Sequence, residues 1–248
     1  MQDFSWLHPV HLTLGMALLM LTAGGWFTYF HLKDEGTREA RWLRIAAIAG
    51  GCASIGAALF GYRAAESLGL RASWQEMVTG GTWPAMRMAL LIGTVEEAAK
   101  LLPVAAFCLI LRPSSSARTG LILAACSGVG FATAESAILM SSDALGLAEG
   151  LARAAATPVT HALFAAPWGL GLMSSLRGEP GRGWSLAAGF ATSVASHGLY
   201  DFLLSRPGLP PAAAALVVLS LWVWLMAQTR PTPRRHPRLI SRRENAAL

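Results

Sequence analysis

The stretch MALLIGTVEEAAKLLPVAAFCLIL, residues Met88 to Leu111, decides the fold. A hydrocarbon core about 30 Å thick needs about 20 residues of apolar helix, and this run is long enough to cross it. Near its middle stand Glu96, Glu97 and Lys100. Each charge costs on the order of 2.5 to 3.5 kcal/mol at mid-membrane on insertion scales, so such residues are retained where they face protein or water rather than lipid. The stretch therefore reads as a membrane helix with one polar face turned into a bundle.

Outward from it, six more apolar runs carry the same message. With the first stretch they lie at about 9–32, 45–62, 88–111, 120–141, 155–176, 184–205 and 212–229, which predicts an all-α, polytopic membrane helix bundle of about seven transmembrane helices. Only 14% of residues are charged and 54% are hydrophobic, with a mean hydropathy of +0.45. Ordinary soluble domains are about 25% charged, so that class is excluded. The run at 9–32 follows a short leader that carries Asp3 and no basic residue, and it exceeds the apolar core of a signal peptide, so it reads as a retained span. We expect one domain over 1–229, and a disordered basic cytoplasmic tail over 230–248.

The net charge of +6 comes largely from Arg230, Arg234, Arg235, Arg238, Arg242 and Arg243 in that tail, so it predicts no nucleic-acid partner. Lys and Arg in the loops and tail divide fourteen to five between the two sides. Cytoplasmic loops carry the excess, which predicts an external N-terminus and a cytoplasmic C-terminus. Trp6, Trp42, Trp74, Trp83 and Trp184 fall near span ends, as interfacial belts require. The longest linker, 63–87, reads as an external loop with room for a short interfacial helix or re-entrant turn. Cys52, Cys108 and Cys126 lie far apart in apolar runs without CxxC spacing, and read as small buried hydrophobes.

The other costly charges are Glu135 in the fourth span and Asp201 in the sixth. At 1.5 Å per residue, Glu97 lies roughly 13 Å below the outer surface, Glu135 and His161 roughly 9 Å, and His197 roughly 12 Å. Four helices thus bring ionisable groups to one layer. Lys100 follows Glu96 by four and Glu97 by three, so it can neutralise one carboxylate while the other, about 100° round the helix, faces a pocket. His197 and Asp201 share a face at i,i+4, where Asp201 can orient the imidazole or ligate in its own right. Phe131, four before Glu135, is expected to wall the site. Pro103, Pro158 and Pro167 predict either helix breaks that line a cavity beside it or ordinary kinks in membrane helices. Ala124, Gly128, Gly130, Gly189 and Ser193 predict close helix packing. His8, His11, His31 and His236 have no such company and are read as bystanders.

The order EExxK (Glu96, Glu97, Lys100), FxxxE (Phe131, Glu135) and HxxxD (His197, Asp201), with His161 between, resembles the PrsW family of intramembrane proteases over about residues 93–202. The resemblance implies a multi-pass protein of the bacterial plasma membrane, with the bilayer and a membrane-anchored protein or peptide substrate as partners. The best-known family role is cleavage of a membrane-anchored anti-sigma factor. CAAX-processing and bacteriocin-protection proteases are more distantly similar, but Lys100 comes one residue before their Arg and Glu135 stands where they have His. That makes a prenylated substrate a poorer expectation.

Two chemical routes remain open. In one, His161, His197 and Glu135, with Asp201 as a further candidate, hold a divalent metal, zinc by donor type, while Glu96 or Glu97 deprotonates water. In the other, Glu96 or Glu97 activates water without metal and a histidine stabilises the oxyanion. Catalytic candidates are therefore Glu96, Glu97, Lys100 and His197. An ion- or proton-coupled transporter would also place carboxylates, a lysine and broken helices at this depth.

Overall fold

The computed structural model describes residues 7–33, 38–111, 116–142, 145–176 and 185–228. The described residues form α1 (Leu7–Lys33), α2 (Arg38–Ser67), α3 (Trp74–Thr79), α4 (Thr82–Leu111), α5 (Ala117–Ser141), α6 (Leu147–Leu176), α7 (Leu186–Ser205) and α8 (Pro211–Gln228), with no strand among them. The architecture is an all-α membrane bundle, with seven long helices and one short one among the described residues. Helices α1, α2, α5 and α8 are long and apolar enough to cross a membrane. The other three long helices, α4, α6 and α7, carry Glu96, Glu97, Lys100, Arg153, His161, His197 and Asp201 among their apolar residues. The tail, Trp6 and Trp184 lie outside the described residues.

At the centre α5 packs most extensively on α6, with α2, α4 and α7 around them and α1 and α8 outermost. Apolar tails of lipid offer no hydrophobic drive for helix association, so close backbone approach and hydrogen bonds must hold the bundle together. Helix α5 shows how. A Cβ at Gly128 would come 2.4 Å from the His161 carbonyl oxygen on α6, and one at Gly130 would come 2.1 Å from that of Ile48 on α2. Only a hydrogen in place of a side chain lets α5 touch both neighbours. Gly189 meets Pro167, and Ser193 accepts a 3.3 Å bond from the Trp168 amide, joining α7 to α6. The outward faces stay apolar, with Met20, Leu21, Leu109, Ile110, Leu216 and Val223 exposed where lipid would lie.

Of the two readings of the prolines, continuous helices hold. Helix α4 runs through Pro103, and α6 through Pro158 and Pro167, without interruption. Near Pro103, Ser127 on α5 donates a 2.8 Å bond to the Lys100 carbonyl and ties α5 to α4. In the 63–87 linker, α3 is capped by Ser73 and buries Met77 beside Ala85, Ala89 and Phe202. Arg206, read from sequence only as a loop charge, donates to the carbonyls of Gly80 at 2.7 Å and Met77 at 3.4 Å, which pins this segment to the end of α7. Cys108 and Cys126 are buried and Cys52 is half-buried.

Candidate metal and proteolytic site

Glu96, Glu97 and Lys100 on α4, Phe131 and Glu135 on α5, Arg153 and His161 on α6, and His197 and Asp201 on α7 meet in one cluster. The adjacent glutamates have different surroundings. Glu97 is fully buried and saturated: Oε1 accepts from Lys100 Nζ at 2.7 Å and lies 2.9 Å from His197 Nδ1, while Oε2 accepts from Trp168 Nε1 at 2.9 Å. Glu96 is also buried, but only its Oε1 is bonded, accepting from the Tyr62 hydroxyl at 2.9 Å. Its Oε2 has no hydrogen-bond partner and faces Lys100 Nζ at 3.6 Å, His161 Nδ1 at 3.9 Å and His197 Nε2 at 3.7 Å.

The two imidazoles meet edge to face, with ring centroids 5.1 Å apart. Behind His197, Glu97 accepts the Nδ1 proton, which fixes the tautomer that leaves an Nε2 lone pair turned toward Glu96. His161 is backed by a different carboxylate. Its Nε2 lies 3.7 Å from Glu135 Oε2, and Nδ1, which lacks a partner, turns toward Glu96. Each supporting carboxylate has its own cation, Lys100 for Glu97 and Arg153 for Glu135, both at 2.7 Å. Asp201 approaches His197 from the Nε2 side at 3.5 Å, so it stands on the open side of the ring, while the orienting position behind it belongs to Glu97. Phe131 stacks on His161 and lies 4.5 Å beneath Lys100 Nζ, forming the wall expected of it.

These residues suit a divalent cation on three counts. One donor atom each from Glu96, His161 and His197 falls within 4.8 Å of the others, and all three residues are buried. Two of the facing atoms, Glu96 Oε2 and His161 Nδ1, are buried without a hydrogen-bond partner. Tetrahedral zinc bonds of 2.0 to 2.1 Å place neighbouring ligand atoms roughly 3.3 Å apart, within an ångström of the 3.9 and 3.7 Å from Glu96 Oε2 to the two histidines. Third, Glu96, Glu97, Glu135 and Asp201 outnumber Lys100 and Arg153 by two negative charges, the charge a divalent ion would neutralise.

Relative to the sequence reading, Glu135 stands behind His161, on the far side of the ring from Glu96, and Glu96 joins the two histidines in the tightest donor group. Tyr62, Trp168 and Arg153 were missed as members of the site. Arg153 counts as a loop charge when the apolar run is read to begin at 155, whereas α6 begins at Leu147. Tyr62 and Trp168 carried no signal, since they lie 34 and 71 positions from the glutamates they bond. Of the histidines set aside, His31 pairs with Arg44 at 2.8 Å, and His236 lies outside the described residues.

A family model described as PrsW family intramembrane metalloprotease matches residues 38–227, which takes in every member of this cluster. No curated protein and no solved structure matches the chain.

Proposed function

The chain belongs to the PrsW family of intramembrane metalloproteases and is a membrane-embedded peptidase, and on that premise we propose that its catalytic centre is the Glu96, His161 and His197 group with Asp201 beside it. The observation that carries this reading is the pair of orphaned buried atoms, Glu96 Oε2 and His161 Nδ1, turned toward each other across 3.9 Å. Leaving such groups unpaired costs about 1 to 3 kcal/mol each, more for a charged one, and a binding role accounts for that cost.

In this reading Glu96 Oε2, His161 Nδ1 and His197 Nε2 hold one divalent ion, zinc by donor type. That ion, when bound, polarises the attacking water and the scissile carbonyl. Asp201, on the open side of His197, accepts a proton from the water and returns it to the departing amine as the peptide C–N bond breaks. Glu97, the other base offered by the sequence, is left out of that step because both its oxygens are occupied. It and Lys100 hold His197, as Glu135 and Arg153 hold His161.

Side-chain exposure rises from 0% at Glu97 and Lys100 to 15% at Asp201, 23% at Glu135 and 27% at Arg153. The approach for substrate and water is therefore from the side of Glu135, Arg153 and Asp201. We assign this side to the exterior, with the C-terminus in the cytoplasm of a bacterial cell, on the distribution of Lys and Arg. The substrate class is a membrane-anchored protein, an anti-sigma factor in the family's best-known role. The transporter reading loses its ground, since the family hydrolyses peptides.

The test is to incubate purified protein with membrane-anchored peptides, with and without a chelator. Cleavage should stop on chelation and return with zinc. Glu96→Gln should lose activity and bind metal measurably but more weakly, whereas Asp201→Asn should lose activity and keep its metal affinity. Cleavage that persists in metal-free protein refutes the metal assignment, and full turnover by Glu96→Gln refutes the site.

A further inference from the structure

We infer that Tyr62 is a positioning residue that sets Glu96 for metal binding, an inference that rests on the metal reading above. Its hydroxyl donates a 2.9 Å bond to Glu96 Oε1. A carboxylate has two oxygens, and anchoring one decides where the other points. With Oε1 held, Oε2 is left facing His161 and His197 at 3.9 and 3.7 Å.

The alternative position for this carboxylate is close by. Lys100 Nζ lies 3.6 Å from Glu96 Oε2 and is already bonded to Glu97 at 2.7 Å. Without the phenol, Oε1 would be buried with no donor, and Lys100 is the nearby cation able to replace it. Turning toward Lys100 would draw the carboxylate off the histidines and offset its charge. A phenol avoids this because it donates a hydrogen bond and adds no positive charge to compete with a bound cation. Hydrogen-bonded partners of ligating groups act in this way on metal sites.

The local fold explains how a residue of α2 reaches α4. A Cβ at Gly61 would come 2.9 Å from Val95 Cγ1, so the two helices meet closely where the next residues along them are Tyr62 and Glu96. The tyrosine ring packs against Ala58, Ala99 and Phe131. Phenylalanine preserves that packing and removes the one atom in question.

The experiment titrates zinc(II) and cobalt(II) alone into chelator-treated, full-length protein in detergent, for the wild type, Tyr62→Phe, Glu96→Gln and the double variant. Tyr62→Phe should weaken affinity about 10- to 100-fold and change the visible spectrum of bound cobalt, since an outer partner of a ligand is lost. If Tyr62 acts through Glu96, the double variant should bind no more weakly than Glu96→Gln alone. Wild-type affinity in folded Tyr62→Phe overturns the inference, whatever has happened to stability, and so do additive losses in the double variant. Should Tyr62→Phe not fold, the double variant against Glu96→Gln decides, since removing the hydroxyl there touches a residue already neutral. A wild type that binds neither ion removes the metal reading and this inference with it.

Discussion

The two histidines are supported by the same device in different surroundings. His197 leans on Glu97, which is held by Lys100 and Trp168, all of them buried. His161 leans on Glu135, held by Arg153, and this pair is a quarter exposed, at 23% and 27%. Each half places an imidazole with a carboxylate and neutralises the carboxylate with a cation. The difference is water. In the inner half, a charge stripped of its partner has nothing else to solvate it, so the pairing there is bound up with the fold. In the outer half solvent can take over part of the partner's work, so the pairing there tunes the site without holding the bundle together.

The comparison is broken most severely at Lys100. Lys100→Met leaves Glu97 buried and uncompensated, and should destabilise the protein by about 3 to 5 kcal/mol, with loss of folded yield and of proteolysis. Chemical denaturation in detergent measures the first and peptide cleavage the second. An equally stable Lys100→Met would mean that the inner half is no more structural than the outer.

Gly128→Ala tests the seam under the outer histidine. The added methyl meets the His161 backbone at 2.4 Å, and that backbone cannot turn aside as a side chain would. Helices α5 and α6 must part, at about 1 to 3 kcal/mol, and zinc affinity should fall because His161 moves while His197 stays. Retained affinity alongside lowered stability would show that the site tolerates movement of α6.

Sharpening the contrast falls to Glu135→Gln and Arg153→Gln. Each should weaken zinc binding about 10- to 100-fold and change stability by less than about 1 kcal/mol. Measuring both quantities on the same samples is essential, because a stability loss like that of Lys100→Met would erase the distinction between the halves. Smallest of all should be Trp83→Ala, at an 83% exposed position outside both halves, with unfolding shifted by less than about 0.5 kcal/mol and cleavage of a detergent-dispersed peptide unchanged.

Much of this was legible before any coordinates. Apolar runs of spanning length specify an all-α membrane bundle because no unpaired backbone is tolerated in lipid. Their charges, costly in that setting, mark Glu96, Glu97, Lys100, Glu135, His161, His197 and Asp201, and the structure brings these seven together. Depth along each helix follows from counting residues, which is why one layer was visible in the sequence. For the prolines, sequence shows the backbone bond each one removes and not whether the packed helix runs on through it, as α4 and α6 do.

What only the tertiary structure decided is direction. Neighbouring glutamates on a helix point about 100° apart whatever their surroundings. Which one is saturated and which left open depends on Trp168 and Tyr62, brought from α6 and α2. The nitrogen that His197 offers is likewise set by the carboxylate bonded behind it, Glu97. Periodicity along one helix fixes angles within that helix alone. The rotation of one helix against another is set by where backbones can touch, at Gly61, Gly128 and Gly130, and that is a property of the packed bundle.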